Sequence, residues 1–174
     1  ILEKINTWFK DNKDPERWWA EYANNTHAYV KYDEDAVIKC TETWANLSDN
    51  RLKLLNTCLS FTPGTQYKMH GKNTAEDGLD CSGYVARVFR DALEIDLPKM
   101  CVDYFTMKES DPHTQIDIKE LRPGDIGVLN DSTKNNHCGI YAGDGKWFEN
   151  SWVYGVQLTD FKDFKYFFRI KNID

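Results

Sequence analysis

Five cysteines and four histidines carry most of the chemistry open to this chain of 174 residues. No two of Cys40, Cys58, Cys81, Cys101 and Cys138 sit at the close spacing of a metal-binding pair, and an odd count leaves at least one thiol outside any set of disulfides. Cys81 differs from the others in its surroundings. Asp80 stands where an N-cap belongs, and Tyr84, Val85, Val88, Phe89, Ala92 and Leu93 recur at every third or fourth position behind it, which predicts an amphipathic helix starting at Cys81. A thiol in that first turn faces unpaired backbone N–H groups and the positive end of the helix dipole, both of which favour the thiolate. A histidine packed against the same terminus would complete a thiolate–imidazolium pair able to attack a carbonyl. His27, among Asn24, Asn25 and Thr26, and His113, behind Asp111-Pro112, read as surface residues, and His70 lies in the loop before Cys81. His137 opens a strand of alternating pattern behind a polar loop from 130 to 136, at an edge where a side chain can face a cleft, and is the strongest partner for Cys81.

The elements that must hold these residues change character along the chain. Ile1, Leu2, Ile5, Trp8 and Phe9 share a helical face, and Asp14-Pro15-Glu16 is a helix start followed by Trp18, Trp19 and Tyr22. Ala36, Val37, Cys40, Trp44 and Leu47 repeat at helical spacing, and Ser48 caps a fourth helix bearing Leu52, Leu55, Cys58 and Leu59, which Pro63-Gly64 ends. The aromatic stripes read as core packing, with Cys40 and Cys58 as buried thiols. Beyond Leu97-Pro98 come short β-like runs at 125–129, 137–142, 146–152 and 164–170. Helices first and antiparallel strands afterwards make an α+β fold.

Composition narrows the function classes. One domain with a small appendage fits 174 residues. A 41% hydrophobic fraction with 14% aromatics belongs to a folded chain. A net charge of −6 lacks the basic footprint that neutralises phosphates, so nucleic acid is not an expected partner. No apolar run is long enough to span a membrane, and no basic stretch leads an apolar one at the N-terminus. The chain starts at Ile1, so it reads as an excised domain or processed product with any targeting segment upstream.

Three motifs in one order add a resemblance. Leu79-Asp80-Cys81-Ser82-Gly83-Tyr84-Val85 resembles the nucleophile signature of the NlpC/p60 family of cell-wall cysteine peptidases. Leu121-Arg122-Pro123-Gly124-Asp125-Ile126 is similar to its Leu-x-Pro-Gly-Asp-Leu turn, and the stretch from His137 to Gly145 to its His-Val-Gly-Ile-Tyr hairpin. The resemblance implies a papain-like fold, with the nucleophile helix on an antiparallel sheet, in a catalytic domain at 50–174 behind an N-terminal helical extension at 1–49. It implies Cys81 as nucleophile, His137 as general base and then acid, and the Cys81 backbone N–H as an oxyanion donor, with no metal or other cofactor. The implied partners are the peptide stems of bacterial peptidoglycan, cut most often between D-γ-glutamyl and a diamino acid. Localisation would then be extracellular or wall-associated, in a secreted bacterial or phage-borne enzyme of endolysin type. Weak charge attraction to an anionic wall points to a neighbouring wall-binding module. Asp80 and Ser82 flank the nucleophile as substrate contacts, although helix capping also accounts for Asp80. The family's Tyr-x-Trp-Gly-Gly stretch reads here Tyr67-Lys68-Met69-His70-Gly71, leaving Tyr67 to line the cleft. Glu149 stands twelve residues after His137, at the family's third catalytic position, where a carboxylate would favour the imidazolium. Two other functions share these residues: an inactive relative that binds wall peptides or plugs a phage tail, and a thiol-dependent acyltransferase of related fold.

Hairpin register decides whether Glu149 or Asn150 reaches His137. A three-residue loop, Gly143-Asp144-Gly145 with Gly145 left-handed, pairs Gly139 with Glu149 and sets Glu149 diagonal to His137 on one face. A two-residue Asp144-Gly145 loop pairs Gly139 with Asn150 instead. The three-residue loop is the expectation.

Overall fold

The apolar repeat behind Asp80 becomes a helix that carries the middle of the molecule. In the computed structural model the described residues are 34–61, 67–71, 78–130, 136–151 and 155–174. The expectations for residues 1–33, including His27 and the Trp18-Trp19 face, and for Pro63-Gly64 lie outside them. The described helices are α1 (Glu34–Glu42), α2 (Asp49–Ser60) and α3 (Cys81–Leu93). The strands are β1 (His113–Ile116), β2 (Ile126–Leu129), β3 (His137–Gly143), β4 (Lys146–Ser151), β5 (Gly155–Thr159) and β6 (Tyr166–Ile170). They form one antiparallel sheet in the order β1-β6-β2-β3-β4-β5. The fold is α+β, as the change of sequence texture at Pro98 implies.

Helix α3 buries Tyr84, Val85, Val88, Phe89 and Ala92 against one face of the sheet, each Val or Phe worth about 1.5–3 kcal/mol. It stops where Glu94 turns left-handed and its N–H bonds back to the Arg90 carbonyl. Ser48 does cap α2, accepting from the Arg51 N–H. Helix α1 ends at Glu42, before Trp44 and Leu47, so these two extend the packing from a turn and not from the helix face. The Trp44 Nε1–H donates to the Ala142 carbonyl at 2.6 Å and the Cys40 thiol to the Gly143 carbonyl, which seats residues 40–44 on the β3 hairpin. A Cβ at Gly143 would collide with Thr43 Oγ1, so this seat needs glycine.

A buried ion network fixes the sheet to α2. Arg51, fully buried, contacts Asp125 at 3.0 Å and Asp174 at 2.7 Å and donates to the Pro123 carbonyl. Asp125 also receives Arg169 at 2.7 Å and the Arg122 N–H. The Pro-Gly-Asp turn is thus pinned to two arginines, while its backbone bonds Tyr141 through both the Gly124 N–H and the Asp125 carbonyl. That clamp sets β3, and with it His137.

Three expectations need correction. His113 is not a surface residue: it is buried at the start of β1, with Nε2 3.1 Å from the Tyr104 carbonyl, because the chain enters the sheet directly after Pro112. Strands β1 and β5 lie outside the four β-like runs expected. The hairpin loop is two residues, not three: Gly143 pairs with Lys146 around left-handed Asp144 and Gly145. The register is nevertheless Gly139 with Glu149, because a bulge between Tyr141 and Gly143, where Gly143 has φ +98°, absorbs the extra residue.

Candidate active site

Asp80 accepts a hydrogen bond from the Gly83 N–H at 2.7 Å, closing the N-terminus of α3 and presenting Cys81 in its first turn. Gly83 must be glycine, since a Cβ there would run into the Gly71 carbonyl, which itself accepts from the Asp80 N–H. The segment before the nucleophile is held from the sheet as well: Asn150 on β4 donates from Nδ2 to the Leu79 carbonyl at 2.7 Å. Ser82 is buried and donates to the Lys99 carbonyl at 2.7 Å, so its hydroxyl anchors the strap that follows α3.

His137 leaves the first position of β3 and Glu149 the middle of β4. Glu149 Oε2 lies 3.2 Å from His137 Nε2, and the carboxylate side chain is wholly buried. Among the described residues the imidazole is the one cation within ion-pair distance of it. A buried carboxylate needs such a partner. Burial, the strongest influence on His137, acts against its charge, yet Glu149 and then the Cys81 thiol outweigh it and the imidazole is pushed up to about 10. Phe164 stacks on the ring at 5.7 Å and Phe161 meets it edge-on at 5.4 Å, which fixes its plane.

The Cys81 thiol is held well below the usual cysteine range. Hydrogen bonds from Cys101 and then Cys138 lead, burial opposes them, and His137 adds a hydrogen bond and its charge. The Cys81 and Cys101 sulfurs are 3.9 Å apart. Cys40 and Cys58 behave oppositely: burial raises each to about 12, and all five cysteines are free thiols.

The structure therefore brings together Cys81, His137 and Glu149 from α3, β3 and β4. Tyr67 joins their edge through a bridge with Leu79. Burial and then the neighbouring Cys81 charge keep its phenol protonated. His70 is exposed, with φ 63°, outside this line. Sequence reasoning missed Cys101, Cys138, Phe161 and Phe164, and it weighed Asn150 only as a rival to Glu149, not as the donor to the Leu79 carbonyl. Alternation along β3 carried a signal for Cys138, which must lie on the opposite face of the strand from His137. Cys101 arrives on a short 3-10 turn, Cys101–Phe105, that nothing in its spacing announces. The arrangement can hold a thiolate beside an imidazolium, deliver that proton to a leaving group, and keep the imidazole oriented throughout.

Comparison with known proteins bears on the family and the fold. Residues 64–167, more than half of the chain, match the NlpC/P60 family. Over 119 residues the chain is 34% identical to the "Probable endopeptidase NlpC" of Escherichia coli, covering 66% of this chain and 73% of that one. It is 34% identical over 83 residues to the "Gamma-DL-glutamyl hydrolase" of Bacillus subtilis, covering 47% and 19%. The chain spans about half the length of other curated relatives it matches. Among solved structures, the NlpC/p60 domain of the peptidoglycan hydrolase SagA superposes with a TM-score of 0.57 at 18% identity, over 69% of this chain and 98% of that one.

Proposed function

Because this chain belongs to the NlpC/P60 family, we propose that it is a cysteine peptidase hydrolysing an amide bond in the peptide stems of bacterial peptidoglycan, between D-γ-glutamyl and a diamino acid. The observation that carries the reading is the Cys81–His137–Glu149 line, a depressed thiol and a raised imidazole backed by a buried carboxylate. The γ-glutamyl bond is supported by the activity named for the Bacillus subtilis relative.

In this mechanism the Cys81 thiolate adds to the amide carbonyl carbon. The oxyanion so formed accepts from the Cys81 backbone N–H, an interaction that can be worth about 3 kcal/mol when preorganised. The His137 imidazolium gives its proton to the amide nitrogen, the C–N bond breaks, and the amine departs from a thioester on Cys81. Neutral His137 then takes a proton from water as that water attacks the thioester, and collapse releases the acid and restores the ion pair. Glu149 stabilises the imidazolium through both halves. Tyr67 lines the edge of the cleft as a neutral hydrogen-bonding phenol, while Asp80 and Ser82 contribute by shaping the helix terminus. The substrate puts the enzyme's work outside the cytoplasmic membrane, in a secreted or phage-borne protein, with a neighbouring module docking it on the wall.

Digestion of purified sacculi tests this reading. New amino groups without new reducing sugars are expected, with EDTA causing no loss, and mass spectrometry of the released muropeptides should show cleavage after γ-glutamyl. Reducing ends would identify a glycosidase, and binding without new ends an inactive wall-peptide module.

A further inference from the structure

Cys81 is one of three thiols that meet at the head of α3. The sulfurs of Cys81, Cys101 and Cys138 all lie within 4.8 Å of one another, with the Cys81–Cys101 pair at 3.9 Å. All three residues are buried, and they come from separate elements: α3, the 3-10 turn and β3. Zn–S bonds of about 2.3 Å in a tetrahedral array put the sulfurs about 3.8 Å apart, so the cluster needs to close by less than about 1 Å to hold a cation. Three sulfurs and no oxygen ligand select soft cations over Mg²⁺ or Ca²⁺. A disulfide between Cys81 and Cys101 would use two of the thiols and leave Cys138 without a role, whereas a metal accounts for all three.

We propose that Cys81, Cys101 and Cys138 form a three-thiolate site for one soft divalent cation of the Zn²⁺ class, and that filling it silences the enzyme by occupying its nucleophile. Each metal–sulfur bond replaces an S–H bond or adds to a sulfur already deprotonated. The displaced protons go to solvent, so binding tightens as pH rises. The consequence for activity rests on the peptidase reading above, but the site itself does not.

The test uses Co²⁺ as a spectroscopic probe on the reduced, metal-free protein. One equivalent should produce a thiolate-to-cobalt charge-transfer band. Cys101→Ala, Cys138→Val and Cys81→Ala should each weaken binding at least about tenfold, and Cys58→Ala, a buried thiol outside the cluster, should leave it unchanged. Circular dichroism checks that each variant is folded, and Cys101→Ala carries the test if the β3 substitution is not tolerated. In parallel, stoichiometric Zn²⁺ should inhibit sacculus hydrolysis reversibly with EDTA. Cys101→Ala should lose that sensitivity relative to its own metal-free rate. Absence of the band at stoichiometric Co²⁺, a band that survives Cys101→Ala, or a peroxide-driven Cys81–Cys101 disulfide in a protein that takes up no Co²⁺ would overturn the proposal. A cobalt site in a protein without lytic activity would uphold the site and remove the peptidase reading.

Discussion

Replacing Glu149 by glutamine keeps the shape of the side chain and removes its charge. At 3.2 Å from His137, and with an effective dielectric of about 20, a unit charge pair is worth about 5 kcal/mol, set against the burial that opposes the imidazolium. The neutral amide can still hydrogen-bond the ring, so part of that energy survives. We expect kcat/KM near neutral pH to fall by about two to three orders of magnitude, about 3–4 kcal/mol of barrier. The sign of the pH effect follows from the direction of the shift. His137 is raised from 6.5 to about 10, so the wild-type thiolate–imidazolium pair persists to about pH 10. In Glu149→Gln the alkaline limb of the pH–rate profile should move to lower pH. Stability should follow the same window. A raised imidazole contributes stability that is fully present below 6.5 and lost as pH climbs through about 10, so the wild-type Tm should decline across that range and the variant's should decline less. The assay is amine release from muropeptides between about pH 5 and 10, with thermal melts at the same points. A kcat/KM within about threefold of wild type together with an unmoved alkaline limb would refute the role given to Glu149.

Asn150→Ala should behave differently from its neighbour. The Leu79 carbonyl would keep the Lys68 N–H and lose only the side-chain bond, which should cost about 0.5–1.5 kcal/mol in a denaturant melt without shifting the alkaline limb. Arg51→Ala should destabilise by about 3–5 kcal/mol, because Asp125 and Asp174 lose the guanidinium that joins them, and a loss under 1 kcal/mol in the same melt would show that the network is dispensable. Iodoacetamide at about pH 6 followed by peptide mapping should label Cys81 first, with Cys40 and Cys58 reacting only on unfolding.

What could be read in advance was what local spacing encodes. The Asp80 cap, the apolar stripe behind Cys81 and the Ser48 cap each specify structure within a few residues, and each appears as expected. The pairing of Gly139 with Glu149 was also legible, although the inferred loop was not. Three glycine and aspartate residues permit either a longer loop or a tight turn with a bulge, and both lead to one register. His113 shows the opposite limit. Four residues, His-Thr-Gln-Ile, carry little apolar alternation, and β1 exists because β6 offers a free edge to pair with, a fact settled by the whole sheet. Cys101 is the same case at the site, since its approach to Cys81 across 20 residues depends on the path taken by the strap after α3.

The central claim is that the Cys81 sulfur forms the bond to the substrate carbonyl, and trapping that bond tests it most directly. Rapid acid quenching of the protein during turnover of a γ-glutamyl-diamino acid muropeptide, followed by intact-mass and peptide analysis, should reveal an acyl adduct on the peptide carrying Cys81. In Cys81→Ala both the adduct and amine release should vanish. An adduct on another residue, or amine release undiminished in Cys81→Ala, would contradict it.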